Sequence, residues 1–261
     1  MRRLAALALV VATALFACAG QAAPLTLGEA RADKAIAAIH SVGVVSLVGT
    51  KVTVASFGIT VFGNSRYDVD TPDWGLDAQV DDAVVDALSP RFHAVAIPLD
   101  PKAYQDRATD FFAAGAGQIR DLIRARPDSP DVDAYLMILP GSFTPAYPLR
   151  GGDTGLGLFH GAAYGDPPFA ECLGLNTFLI DAKTGDQIYF AIWLGPPPEG
   201  SDAPWGGLPM RALPADFAPP SAGGMTPAQS HMLRDDFLSL IRASVGPSLM
   251  RARLLPHQIE A

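Results

Sequence analysis

The stretch from Ser41 to Leu88 restricts the fold of this chain more than any other. It holds an apolar β-run (VGVVSLVG), a longer one (KVTVASFGITVF), a polar acidic segment (GNSRYDVDTPD) and an amphipathic segment (WGLDAQVDDAVVDAL). Val42 to Val48 is a valine-rich, mostly apolar run, as in a strand buried on both faces. Gly49-Thr50 joins it to Val52–Phe62 by a link too short for a crossover helix, which predicts an antiparallel hairpin. Gly58 inside the second run marks a bulge or a close backbone approach. Asn64 to Asp73 reads as an acidic loop. Thr71-Pro72-Asp73 then offers an N-cap, a proline at the first helical position and a first-turn carboxylate. Leu76, Val80, Ala83, Val84, Ala87 and Leu88 share one helical face, which leaves Asp77, Asp81, Asp82 and Asp86 to solvent.

The remaining chain extends this pattern. Leu25–His40 is a short helical segment, Phe92–Leu99 a strand, and Asp100-Pro101 opens a helical region that resumes from Gln118 to Arg126 after Gly115 and Gly117. Ala134–Leu139 is a further strand, and the strand–helix alternation predicts parallel pairing covered by helices. Pro140–Pro168 reads as a long glycine- and proline-rich connection. Leu173–Ile180 and Gln187–Leu194 flank a short turn with Gly185 near its end, a hairpin signal. Gly195–Pro220 shows no periodicity. Thr226-Pro227-Ala228-Gln229 is a capping-box pattern that opens a last helix with Leu233, Phe237, Leu240, Ile241 and Val245 on one face, ended by Gly246-Pro247. The predicted class is α/β: a central mixed sheet with helices packed on it, an N-terminal and a late hairpin, and a C-terminal helix. Its divisions are 1–22, 25–195, an irregular 196–225, and a helix within 226–255 that packs on the domain or on a partner.

The first residues address the compartment. Arg2 and Arg3 precede an uncharged run, Leu4–Ala17, and small residues follow. That is the layout of a secretory leader, and the run is shorter than the roughly 20 residues of a membrane span. Cleavage after Ala22 or after Ala19 fits the small-x-small rule. Leu15-Phe16-Ala17-Cys18 resembles the lipobox of bacterial lipoproteins, which keeps a second route open in which Cys18 is lipidated. The expected location is therefore periplasmic, with an outer-membrane lipoprotein as the alternative. Without the leader only Cys172 remains, so no intrachain disulfide staples the domain. The net charge of −8 argues against nucleic acid and against a basic lipid-binding patch, leaving a lipid anchor as the membrane tie.

VGVVS as a first strand, the Asp133-Ala134-Tyr135 start of a later strand, and the hairpin FLIDAKTGDQIYFA together resemble the α/β domains of envelope assembly proteins. Two such groups are the curli-secretion lipoprotein CsgG and the N-terminal domain of TolB. The resemblance spans residues 39–194. It departs in the glycine-rich segment before the hairpin and in having no membrane-spanning hairpins of a pore. It implies an accessory or assembly role with an envelope protein as partner, and no enzyme chemistry.

A competing reading comes from Phe62-Gly63-Asn64-Ser65 with Asp68, which resembles the FGDS block of SGNH-type serine esterases, with Asn64 in place of Asp. Gly174-Leu175-Asn176 resembles that family's later block. The resemblance implies Ser65 as nucleophile and Asn176 as oxyanion donor. The family's closing Asp-x-x-His is missing before both His231 and His257. Asp68, Asp70 and Asp73 are candidate oxygen ligands for a hard cation, though without the spacing of a calcium loop. The five histidines show no zinc spacing, and Gly151–Gly165 lacks the phosphate-binding and dinucleotide signatures, so no cofactor is expected. Cys172 reads as a small buried apolar residue.

Overall fold

The computed structural model describes residues 27–57, 64–100, 114–143, 153–161, 169–197, 199 and 206–256. In chain order these form α1 (Leu27–Ala37), β1 (Ser41–Ser46), β2 (Lys51–Phe57), β3 (Ser65–Asp70), α2 (Leu76–Leu88), β4 (His93–Ala96) and α3 (Ala114–Arg124). They continue with β5 (Ala134–Pro140), β6 (Ser142–Phe143), β7 (Asp153–Gly161), β8 (Ala170–Asp181), β9 (Gln187–Ile192), β10 (Met210–Ala212) and α4 (Pro227–Arg251). The class is mixed α/β as expected, with one sheet carrying both parallel and antiparallel pairs.

Strand β8 organises that sheet. Its first half, Ala170–Gly174, lies between β7 and β10, and its second half, Leu175–Asp181, lies between β5 and β9. Two half-sheets therefore share one strand. The first runs β4-β1-β5-β8-β9, with β1 parallel to both β4 and β5, as the strand–helix alternation predicts. The second runs β3-β2-β7-β8-β10. The late hairpin forms as β8–β9, across a turn whose Asp181 carboxylate accepts the amides of Lys183 and Thr184.

Several expectations do not survive. The two apolar runs of the opening stretch do not pair with each other. Both edges of β1 are taken by β4 and β5, so the short link after Val48 carries the chain from one half-sheet to the other. There β2 pairs with β7 and β3 instead. The N-terminal hairpin is thus β2–β3, and the acidic loop is largely a strand. In Ser65-Arg-Tyr-Asp-Val-Asp70, Val69 is buried and Tyr67 half-buried while the polar residues face out, the alternation of an edge strand. Polar composition masked that period.

Thr71 is not the cap of α2, because Gly75 is, in a left-handed conformation and without a side-chain bond. The turn Thr71–Trp74 precedes it, closed by Trp74 N–H donating to Thr71 O. The connection after Pro140 contains β7, whose glycines hid an alternation of Leu156 and Leu158. Gly157 lies opposite Cys172, where a Cβ would stand 2.8 Å from the sulfur. Gly115 and Gly117 sit inside α3 rather than interrupting it. The segment after Gly195 contributes β10.

The capping box of α4 forms as read, with Gln229 N–H donating to Thr226 Oγ1 and Thr226 N–H to Gln229 Oε1. The helix nevertheless runs through Pro247 to Arg251. Its last turn buries Leu249 and continues into buried Ala252 and Leu254. Ser248 Oγ accepts the Leu194 amide at 3.0 Å, and this packing offsets the roughly 3 kcal/mol cost of an internal proline.

Two cores result. The larger lies between the sheet and α1, α2 and α4, and includes Val44, Val84, Leu136, Leu173, Phe237 and Ile241. The smaller lies on the opposite face, where Ile119 and Ile123 of α3 meet Val45, Met137, Phe178 and Ile180. Bulge formation at Gly58, the helix start from Pro101 on, and the segments 151–152 and 162–168 lie outside the described residues.

Candidate functional site

Ser65 opens β3, exposed, with its Cα opposite Ser56 of β2. His160 of β7 is opposite Ser56 from the other side. Two strand spacings therefore separate Ser65 from that imidazole, roughly 10 Å, and the ring stacks on Phe169 at 5.0 Å. Asn176 is buried in β8 between Leu139 and Ile192, with β2 and β7 lying between β3 and β8. Gly141 passes so close that a Cβ there would stand 2.5 Å from the Asn176 carboxamide. The structure does not bring Ser65 and Asn176 together.

Asp68 accepts from Thr53 Oγ1 at 2.8 Å and Lys51 Nζ at 3.1 Å. Partial burial pushes its carboxyl up, and these two donors more than offset that, holding it below the usual range. Asp70 is exposed opposite Lys51, and Asp73 is exposed in the turn before α2. Among the described residues no three His, Cys, Asp or Glu side chains stand close enough to share a cation. Cys172 is buried, its thiol 3.4 Å from Gly157 O. Cys18 lies outside the described residues.

Three acids, the half-buried Asp77 and the buried Asp81 and Glu171, were misread or missed from sequence. Asp77 and Asp81, assigned above to solvent, instead lie one turn apart on α2 against the end of β1. Asp77 Oδ1 accepts the Val48 amide at 2.6 Å and also holds the Gly49 amide. Asp81 is 3 % exposed and accepts the Ser46 amide, while its Oδ1 has no partner. The cause is twofold: β4 stops opposite Val44, which leaves the Ser46 amide without a strand partner, and the change of half-sheet after β1 does the same for the Val48 and Gly49 amides, so the carboxyls of α2 cap them. Burial pushes Asp77 up to about 6. Burial, then the charge of Asp77, pushes Asp81 up to about 8, so it is protonated at neutral pH.

The third is Glu171 of β8, fully buried beneath α4 with neither carboxyl oxygen bonded. Burial, then the charge of Asp236, pushes it to about 8. Arg211, its register partner on β10, donates instead to Asp236 Oδ1 at 3.3 Å and to Ser239 Oγ at 3.0 Å on α4. The i, i+4 spacing of Asp77 and Asp81 beside buried Val80 and Val84 was the sequence signal for the first pair. Glu171, alone before an apolar run, gave none.

An open groove of about 790 Å³ lies between α1 and the β8–β9 turn, lined by Arg31, Ala35, Asp133, Asp181 and Lys183 among others. Two of its carboxylates, Asp133 and Asp181, have structural duties. Asp133 Oδ2 accepts the amides of His40 and Ser41 and the Ser41 hydroxyl at 2.9–3.1 Å, which pins the start of β1 beside β5. Those bonds, the His40 amide first, hold its carboxyl below the usual range. This clamp accounts for the Asp-Ala-Tyr strand start in physical terms.

The surface carries a different kind of feature. Of the exposed large apolar side chains among the described residues, Phe190, Ile192 and Met210 lie on one edge, and Met232 lies elsewhere on α4. Met210 is opposite Cys172, Ile192 opposite Asn176 and Phe190 opposite Phe178. Opposed residues share a face, and positions 172, 176 and 178 of β8 share one, so the three form a row of roughly 20 Å. The Phe190 ring stands 5.0 Å from that of Phe178.

Comparison with known proteins adds little to this geometry. No protein-family model matches the chain, and no curated protein matches it. Among solved structures, the crystal structure of lipoprotein GNA1162 from Neisseria meningitidis aligns with 77 % of this chain and 97 % of its own, at 11 % identity and a TM-score of 0.28. It belongs to neither of the groups that the strand starts and the hairpin suggested, and at that score it fixes neither topology nor activity. Among the described residues no helix is long and apolar enough to cross a membrane.

Proposed function

We propose that the chain is an exported accessory protein of the bacterial envelope that acts by binding another polypeptide along the β9–β10 edge. One observation carries the reading: a row of exposed apolar side chains runs along one face of an open sheet edge. Exposed apolar rows on soluble domains mark contact surfaces. The leader of Arg2, Arg3 and Leu4–Ala17 supports export, and the acidic balance supports a protein rather than a nucleic acid as the partner.

A photo-crosslinking residue in place of Ile192 tests this in intact cells. The expected result is a discrete crosslinked protein band that is absent when the same residue replaces exposed Asp82. No band from position 192 overturns the reading, and so does hydrolysis of short acyl esters that vanishes in Ser65→Ala. Labelling with a fatty-acid analogue, with and without Cys18→Ala, separates a periplasmic protein from an outer-membrane lipoprotein.

A further inference from the structure

Strands β3, β4, β9 and the three-residue β10 end the two half-sheets among the described residues, and they are protected unequally. Edge β3 carries Arg66, Asp68 and Asp70, with Asp68 bridged to Lys51 at 3.1 Å. Edge β4 is four residues long. Short strands and charges are the ordinary means by which proteins keep sheet edges from pairing. Edge β9 has neither defence. From Gln187 to Leu194 it holds no acid, base, proline or glycine, and Ile188, Tyr189, Phe190 and Ile192 are strong strand formers. Among the described residues no backbone group bonds to its outward side.

We infer that β9 pairs antiparallel with β9 of a second copy of this chain across a two-fold axis, so that the sheet continues through both. The inference rests on the proposed binding role of this edge and names its occupant. Charge permits that occupant. Two copies of a chain with net charge −8 repel over most approaches, and the uncharged strand is where they can meet without opposing like charges. Register favours it. An antiparallel pair centred on Ala191 sets Phe190 of each copy opposite Ile192 of the other, on the face where both are exposed. The apolar rows of the two copies then merge across the axis, as a self-complementary contact requires.

The test is light scattering on the full exported chain at micromolar concentration, alone and as Ile192→Lys and Phe190→Lys. Both positions are exposed, and far-UV circular dichroism verifies the fold of each variant. The expected result is a dimer for the parent and a two-fold lower mass for both variants. A control, Asp70→Lys on edge β3, keeps the dimer mass. A parent dimer that both lysine variants retain overturns the inference. A monomeric parent also overturns it. In that case a crosslink from position 192 to a different protein leaves the binding role standing, and no crosslink removes both.

Discussion

Replacing Asp81 by asparagine is the sharpest probe of the buried acids. The side chain is 3 % exposed, its carboxyl pushed up to about 8 by burial and by Asp77. In the unfolded chain the same group titrates near 3.8. A carboxyl raised in the folded state binds its proton more tightly there, so folding takes up a proton between those values. The stability linked to this proton is fully present below about pH 4 and is lost as the pH rises through about 8. A shift of about four units corresponds to ~5 kcal/mol across the window, of which ~4 is already lost at pH 7. Relaxation and water entry reduce such figures, so about 2–4 kcal/mol is the working expectation. The introduced carboxamide keeps an oxygen for the Ser46 amide and carries no charge to bury. The variant should gain about 2–4 kcal/mol over the parent at pH 8 and almost nothing at pH 4.5. Urea denaturation followed by far-UV circular dichroism at both pH values measures this, with an unchanged m-value showing that the same surface is exposed. A parent whose stability is flat or rising from pH 5 to 8, or an Asp81→Asn protein less stable than the parent at pH 8, refutes the reasoning.

Glu171→Gln acts in the same direction, since Glu171 is also raised to about 8, and should raise the urea midpoint at pH 8 while leaving that at pH 4.5 nearly unchanged. Asp133→Ala removes the acceptor of two amides and a hydroxyl at the start of β1, and should cost about 2–3 kcal/mol at pH 7 in the same assay. A loss under about 0.5 kcal/mol would show that water replaces the clamp. Gly141→Ala sets a methyl against buried Asn176 and should cost about 1–3 kcal/mol, read as a lowered Tm.

Much of the fold was legible because the local signals were strong. The valine run of β1, the Ala134–Leu139 run of β5, the turn at Gly185 and the Thr226–Gln229 capping box each announced an element that formed. What failed were elements whose period was disguised. Polar residues covered the alternation of β3, and glycines covered that of β7. The acids failed for another reason. On the helix wheel Asp77 and Asp81 border the apolar face, and nothing local shows that unpaired amides of β1 wait there. For the candidate esterase block, the sequence set Ser65 and Asn176 in suggestive contexts, while strand order placed β2 and β7 between their strands.

Local chemistry alone determined the class of fold, the identity of most elements and the leader-like start, because propensity, capping and turn preferences act over a few residues. Only tertiary pairing decided that β8 serves two half-sheets, that β1 and β2 part after Val48, and that β9 is left as an uncharged edge. Those outcomes depend on which distant strands claim each hydrogen-bonding edge, a competition among segments up to a hundred residues apart that no local window contains. The same competition buried Asp81 and Glu171 and exposed Phe190 and Ile192, and with them set the surface on which the proposed function rests.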